Sequence, residues 1–182
     1  MINLLKSNRG EADVSTIIII GGIIFVVTMM VVLGAAMKLD DVAQESVLKY
    51  CSDFVNTSAN EGKITKENYD NFIDSIHSTG HSYNVSIEVQ HKDENIGNKS
   101  AWTSSNATGE AKYVYSYTSE IEEGLKKDGK YLMKEGDRIS VSVENTDKGL
   151  RQQVTEAFSA GTGNGTAVVS GSGSATVKVN GN

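Results

Sequence analysis

The stretch VSTIIIIGGIIFVVTMMVVLGAAM, residues 14–37, decides the fold of this chain of 182 residues. None of its 24 residues carries a charged side chain. The hydrocarbon core of a bilayer is about 30 Å thick, and a helix that rises ~1.5 Å per residue crosses it with about 20 residues. Residues 14–37 are therefore predicted to form a single membrane-spanning helix.

The flanks of this apolar stretch predict its orientation. Lys6 and Arg9 precede it, whereas Lys38 is followed by two aspartates. Because basic flanks stay on the cytoplasmic side, residues 1–13 are expected to form a cytoplasmic leader, with the following domain outside the cell membrane. A cleaved signal peptide has an apolar region of only about 7–15 residues, so the length favours a retained anchor.

The helical pattern continues beyond the apolar stretch to about Ser58. Apolar residues recur at intervals of three and four with charged residues between them, which is typical of a helix with one buried face. The face expected to be buried consists of Leu39, Val42, Ala43, Val47, Tyr50, Phe54 and Val55. One long helix is predicted, with its first half in lipid and its second half on a sheet.

Residues 38–160 predict an extracytoplasmic α+β domain. Helices are expected at 66–78 with Thr65 as N-cap, at 120–128, and from Leu150 to Phe158. Alternation of apolar and polar residues predicts half-buried strands at 83–91, 113–117 and 139–143. The fold class is therefore α+β: a long N-terminal transmembrane helix that continues as an amphipathic helix and packs on a small antiparallel sheet.

Two segments and one strand leave alternatives open. Residues 92–112 are predicted to form a polar loop that contains Trp102, and a loop of this length is expected to be either functional or mobile. Residues 161–182 are rich in Gly and Ser and predict either a C-terminal hairpin or a flexible tail. The tyrosines of the strand at 113–117 share one face, which favours the buried face of a sheet over an exposed binding stripe.

Few residues suggest catalysis or ligand binding. His77 and His81 flank a predicted helix end and His91 ends a strand, so no metal-ligand pattern arises. The net charge of −6, without a basic stripe, argues against contact with nucleic acid. Cys51, the only cysteine, is interpreted as a small apolar filler, with an intermolecular disulfide as the alternative. We therefore expect no enzyme activity, catalytic residue, metal or cofactor.

The segment before the apolar stretch reads Arg9-Gly10-Glu11-Ala12-Asp13. A short basic leader, a glycine and an acidic residue before a long apolar helix resemble the leader of type IV prepilins. The two-part helix resembles that of pilins and of TadE-like minor pilins. The resemblance implies that a membrane-bound prepilin peptidase cuts after Gly10 and leaves Glu11 as the mature amino terminus.

The chain departs from that family at Ser15, where the family usually has a glutamate that pairs with a neighbouring subunit in the filament. Asp13, two residues upstream, is the candidate substitute for this filament-contact acid. The alternative is that Glu11 and Asp13 only cap the membrane helix, since carboxylates favour the positive end of a helix dipole.

The resemblance implies a structural role: a pilin-like, TadE-like subunit or minor component of a surface filament, secretion or DNA-transfer apparatus. Its partners would be membrane lipid, copies of itself or other pilin-like subunits, and a prepilin peptidase. Gly21, Gly22, Gly34 and Ala35 are small enough to let apolar helices pack closely. The alternative is an unprocessed single-pass membrane protein with an extracellular binding or sensor domain.

Overall fold

A computed structural model describes residues 9–92, 113–158 and 169–182, with only the backbone described at 9–13 and at 158. Helix α1 runs without a break from Arg9 to Glu61, which confirms one long N-terminal helix. Gly62 ends it with a φ of +68°, a conformation that glycine adopts at little cost. A side chain at Gly62 would also collide with the backbone carbonyl of Val179.

The rest of the domain consists of short elements. In chain order they are β1 (Lys63–Thr65), α2 (Lys66–His77), β2 (Tyr83–Lys92), β3 (Tyr113–Tyr117), α3 (Thr118–Asp128), β4 (Lys130–Leu132), β5 (Arg138–Asn145), α4 (Leu150–Phe158) and β6 (Ser170–Thr176). The helices and the three strands expected from the sequence are confirmed. The Thr65 side chain accepts a hydrogen bond from the backbone of Asn68, as an N-cap does.

The strands form two antiparallel sheets. The larger has the order β3-β2-β5-β6, and the smaller pairs β1 with β4. The register of β2 and β5 aligns Ile87 with Val141 and Val89 with Ile139, and all four side chains are buried. The α+β architecture, with a long apolar helix and a small antiparallel sheet, is therefore confirmed.

The second half of α1 lies against the inner face of the larger sheet and against α2 and α4. Leu39 and Val42 were expected on the buried face, but they are 57% and 60% exposed. The buried stripe of α1 is instead rotated about the helix axis by about one residue relative to the predicted one. That stripe consists of Ala36, Asp40, Ala43, Val47, Cys51, Phe54, Val55, Ser58 and Ala59.

Strand β6 is formed by the Gly-Ser stretch near the carboxyl terminus. The sequence predicts a hairpin or a flexible tail over residues 161–182, whereas residues 170–176 pair with β5 and pack on α1. A Cβ atom added to Gly171 would lie 2.7 Å from Val47 Cγ1, and one added to Gly173 would lie 2.9 Å from the Cys51 carbonyl oxygen. The glycines therefore let the strand approach the helix more closely than any side chain allows.

Candidate functional site

The first half of α1 is an apolar surface that the rest of the described chain leaves uncovered. Its side chains are exposed all round the helix: Ile17 by 68%, Phe25 by 59% and Met30 by 69%. The most apolar 18-residue window has a mean hydropathy of 2.9, and none of it is buried. This helix is long and apolar enough to be a single membrane span.

One polar side chain within this surface, that of Thr28, forms a hydrogen bond within the helix. The Thr28 hydroxyl donates to the carbonyl oxygen of Ile24 at 2.8 Å, one helical turn earlier. An unpaired hydroxyl in hydrocarbon is costly, and a bond to the preceding turn removes that cost.

The predicted helix-packing residues lie on this open surface. A Cβ atom added to Gly21, Gly22 or Gly34 would meet nothing within 4 Å, and Ala35 is exposed. The candidate processing and contact residues at 10, 11 and 13 lie in the first two turns of α1, and their side chains are outside the described part of the structure. Within the described residues, the helix backbone at these small residues is therefore uncovered.

Asp40 marks the junction between the exposed and the packed halves of α1. Its side chain is buried, and its two carboxylate oxygens accept hydrogen bonds from the backbone of Leu150 at 3.1 Å and of Arg151 at 3.0 Å. These are amides of the first turn of α4, where helix N–H groups lack partners and the helix dipole favours negative charge. Asp40 therefore caps α4 across the domain and fastens it to α1.

A buried histidine lies beside this cap. His81 Nε2 is 3.9 Å from Asp40 Oδ1, and its Nδ1 is 3.3 Å from Asp147 Oδ1. The His81 side chain is only 6% exposed, so the two carboxylates are its immediate polar surroundings. The three residues come from α1, the turn before β2 and the turn before α4, and they join those segments at the end of the domain nearest the exposed half of α1.

A second histidine lies in a polar network at the other end of the sheet. His91 Nδ1 is 2.7 Å from Asp137 Oδ2, and its Nε2 is 2.9 Å from the Tyr131 hydroxyl. Asp137 is buried and also accepts from the Lys134 backbone at 2.7 Å. Burial raises the pKa of the Tyr131 phenol, which favours a proton donor over a phenolate. The network fastens β2, β4 and the turn before β5 together.

The single cysteine is not placed for chemistry at the surface. Cys51 is fully buried where α1 meets Gly173 of β6. Burial raises the pKa of its thiol to about 11. At neutral pH it is a neutral thiol inside the core, which matches its interpretation as an apolar filler.

The tyrosines of β3 form an exposed stripe, so their interpretation as a buried sheet face was wrong. Tyr113, Tyr115 and Tyr117 are 48%, 43% and 53% exposed. The register of β2 and β3 pairs Tyr115 with Gln90 and Tyr117 with Glu88. Since the odd-numbered residues of β2 face the core, residues opposite its even-numbered ones face solvent.

The sequence contained a signal for one site residue that composition alone does not reveal. Asp40 follows Ala36 by four positions and precedes Ala43 and Val47 by three and seven, so an acidic residue stands in an apolar helical stripe. A charge in such a stripe requires a buried partner. The partner amides of α4 are 110 residues away along the chain, and no sequence pattern identifies them as the partners of Asp40.

Comparison of the chain with protein-family models, curated proteins and solved structures finds no match in any of the three.

Proposed function

We propose that this protein is a membrane-anchored structural subunit, pilin-like and TadE-like, of a surface filament or of a secretion or DNA-transfer apparatus. In this proposal the exposed half of α1 lies in the bilayer before assembly. On assembly it packs against the same segment of other subunits. The packed half and the sheet form the part of the subunit outside the membrane.

One observation carries the proposal: the two halves of a single helix meet opposite surroundings. Most side chains from 14 to 35 are exposed within the described residues, whereas the half from 36 to 61 packs on the sheet and on α4. Apolar exposure continues past the span through Leu39 and Val42 on the side away from the sheet. A simple anchor needs about 20 residues, so this continuation supports helix-to-helix contacts beyond the membrane.

Small residues support the same proposal. In a bilayer, helix association depends on close packing, because lipid tails are as apolar as the side chains they replace. Gly21, Gly22, Gly34 and Ala35 leave the helix backbone accessible on the open surface. A neighbouring α1 would fill that space with backbone-to-backbone contact.

The test is the mature amino terminus of the full chain in cells that contain a prepilin peptidase. Intact-mass spectrometry is expected to find a chain that begins at Glu11 and has lost residues 1–10. Gly10→Phe is expected to block the cut, because a bulky residue replaces the glycine at the cleavage position. Ser7→Phe, a matched change within the leader, is expected to leave cleavage intact.

A chain that keeps Met1 in such cells, and does so regardless of the Gly10 substitution, would overturn the proposal. A second readout is assembly, measured as cross-linked multimers of the processed chain. Gly21→Ile is expected to reduce these multimers without changing the mature mass, which separates a defect in packing from a defect in processing.

A second candidate function is an unprocessed single-pass protein with an extracellular binding or sensor domain. The exposed tyrosine stripe on β3 favours it, because tyrosine supplies large contact area together with a hydrogen-bonding group. An intact Met1 combined with retention in the membrane is the result expected from this alternative.

A further inference from the structure

Strand β3 is an edge of the larger sheet, and no described strand covers its outer side. Within the described residues, β2 is the only strand that pairs with it. The segment Tyr113–Tyr117 contains no charge, and the chain has no proline to protect an edge. Besides the exposed tyrosines, Val114 is 45% exposed. Edge strands without such protection tend to pair with a strand of another chain.

The opposite edge of the sheet is contacted by α1 at its first residue. On β6, the Gln44 side chain accepts from the Ser170 backbone N–H at 2.9 Å and donates to the Ser170 carbonyl oxygen. The inward glycines of β6 also lie directly on α1. Of the two edges, β3 is therefore the one that presents large exposed side chains and, within the described residues, has no strand on its outer side.

Two of the three tyrosines on β3 make contacts within the chain that order their side chains. The rings of Tyr115 and Tyr117 stack with centroids 6.5 Å apart and an interplanar angle of 15°. Gln90 on the neighbouring strand donates to the Tyr115 hydroxyl at 3.3 Å. Side chains already ordered in the free protein lose less entropy when they bind.

The sequence of β3 is suited to pair with itself. It reads Tyr-Val-Tyr-Ser-Tyr, and an antiparallel pair centred on Tyr115 sets each tyrosine opposite a tyrosine. Tyr113 would lie opposite the partner's Tyr117, and Val114 opposite the partner's Ser116. Aromatic pairs directly opposite each other stabilise antiparallel strands, and the absence of charge on β3 avoids repulsion between identical segments.

We infer that two copies of this chain associate through their β3 edges, antiparallel and centred on Tyr115, so that the two four-stranded sheets become one. The contact is two-fold symmetric, with the same patch on both subunits. It does not depend on cleavage at Gly10, so the filament proposal and this contact fail or stand separately.

The small area of the β3–β3 contact determines the conditions in which two chains associate. Stable interfaces bury about 1,200–2,000 Å² in total, and a five-residue edge covers much less. The pairing is therefore weak between chains in dilute solution. Membrane spans that hold two domains on one surface raise their effective concentration, so the contact is expected when the full chain is in a bilayer.

The test uses disulfide cross-linking of the full chain in lipid vesicles, in a Cys51→Ala background. Opposite Cβ atoms of an antiparallel pair are about 4.5–5.5 Å apart, within reach of a disulfide after small adjustments. Tyr115→Cys is expected to give covalent dimers. Tyr113→Cys and Tyr117→Cys alone are expected to give few, because the same residue in two copies is roughly 14 Å apart.

The decisive test of the antiparallel register is a sample that mixes two cysteine variants. Vesicles that contain Tyr113→Cys and Tyr117→Cys together are expected to cross-link at least fivefold more than either alone. Ser172→Cys, exposed on the opposite edge, is the matched control and is expected to stay monomeric. Equal dimer yields at all four positions would indicate random collision, and self-cross-linking at 113 and 117 without a gain in the mixture would indicate parallel pairing. Either result overturns the proposal.

Two further measurements protect against a folding artefact. Val114→Lys in the Tyr115→Cys chain is expected to reduce dimers several-fold, since edge lysines oppose pairing, while Ser172→Lys leaves them unchanged. Oxidative tyrosine cross-linking of the unsubstituted chain, followed by peptide mapping, is expected to join Tyr115 to the partner's Tyr115 and Tyr113 to the partner's Tyr117. Links distributed evenly over all tyrosines contradict the proposal.

Discussion

The two halves of helix α1 share one continuous backbone but lie in opposite surroundings. From residue 14 to 35 the side chains are mostly apolar, and most of them are exposed. From 36 to 61 a narrow apolar stripe lies on a sheet, and charged residues such as Lys49 and Asp53 cover the opposite face. A helix that is apolar all round cannot bury itself against one small sheet. The first half therefore has the surface of a candidate membrane span, whereas the second half is packed within the described part of the chain.

Glycine has a different role in each half. In the packed half the glycines are on the partner strand, where Gly171 and Gly173 let β6 reach the backbone of α1. In the apolar half they are on the helix itself, and Gly21 and Gly22 meet nothing within 4 Å. The same small residue closes an existing contact in one region and leaves space for a neighbour in the other.

The largest expected effect comes from filling the closed contact. Gly173→Val would drive a side chain into the backbone of α1 at Cys51 and should cost about 3 kcal/mol of unfolding free energy or more. Gly21→Val, the same change in the open half, should stay within about 0.5 kcal/mol. Chemical unfolding of the full chain in detergent micelles, monitored by near-ultraviolet circular dichroism, measures both. Similar losses for the two variants would contradict the contrast between the halves.

The second-largest effect is expected at Asp40, where the exposed and packed halves of α1 meet. Asp40→Ala removes the acceptor of two α4 amides and should cost about 1–3 kcal/mol, because those amides are left without partners. Asp41→Ala changes the exposed neighbour and should be close to neutral. Hydrogen exchange of α4 amides is expected to accelerate only in the Asp40 variant. Equal protection of α4 in both variants would show that the cap is not needed.

A smaller effect is expected at alkaline pH. The ordinary pKa of a thiol is about 8.5–9, whereas burial raises that of Cys51 to about 11. Between these values the unfolded chain loses the thiol proton and the folded chain keeps it, so stability falls as pH rises. From pH 8 to pH 10 the unchanged protein should lose about 1.5 kcal/mol more than Cys51→Ala.

The comparison with Cys51→Ala removes the contribution of the tyrosines, since both proteins contain the same ones. Denaturant titrations at pH 8, 9 and 10 give the two curves. If the curves run parallel over this range, the thiol is not shielded by the contact between α1 and β6.

The smallest effect is expected on the solvent face of the packed half. Lys49 forms an ion pair with Asp53 one turn later, but both side chains are largely exposed, by 70% and 59%. Exposed pairs of this kind contribute little and are screened by salt. Lys49→Ala is expected to leave the thermal midpoint unchanged within experimental error at 0.5 M salt. A clear decrease would show that this face is covered, as in an assembly.

Local sequence patterns determined much of this protein. Residues 14–37 are mostly apolar and contain no charged side chain, so a long apolar helix followed from composition. The alternation in β2 and β5 identified Ile87, Val89, Ile139 and Val141 as inward residues, because every second side chain of a strand faces the same way. The N-cap at Thr65 was equally visible, since the hydroxyl and the amide it accepts from are three residues apart.

Tertiary structure decided the features that depend on distant partners. Tyrosine spacing shows that Tyr113, Tyr115 and Tyr117 share a face, but only the register with β2 turns that face to solvent. The Gly-Ser segment became strand β6 because α1 supplies a surface that accepts glycine and little else. In the sequence, Asp40 is only an acidic residue within an apolar stripe. The tertiary structure supplies its hydrogen-bond donors, which are backbone amides of α4. Neighbouring residues set periodicity, whereas the choice between two faces, or between burial and exposure, depends on which distant segment meets them.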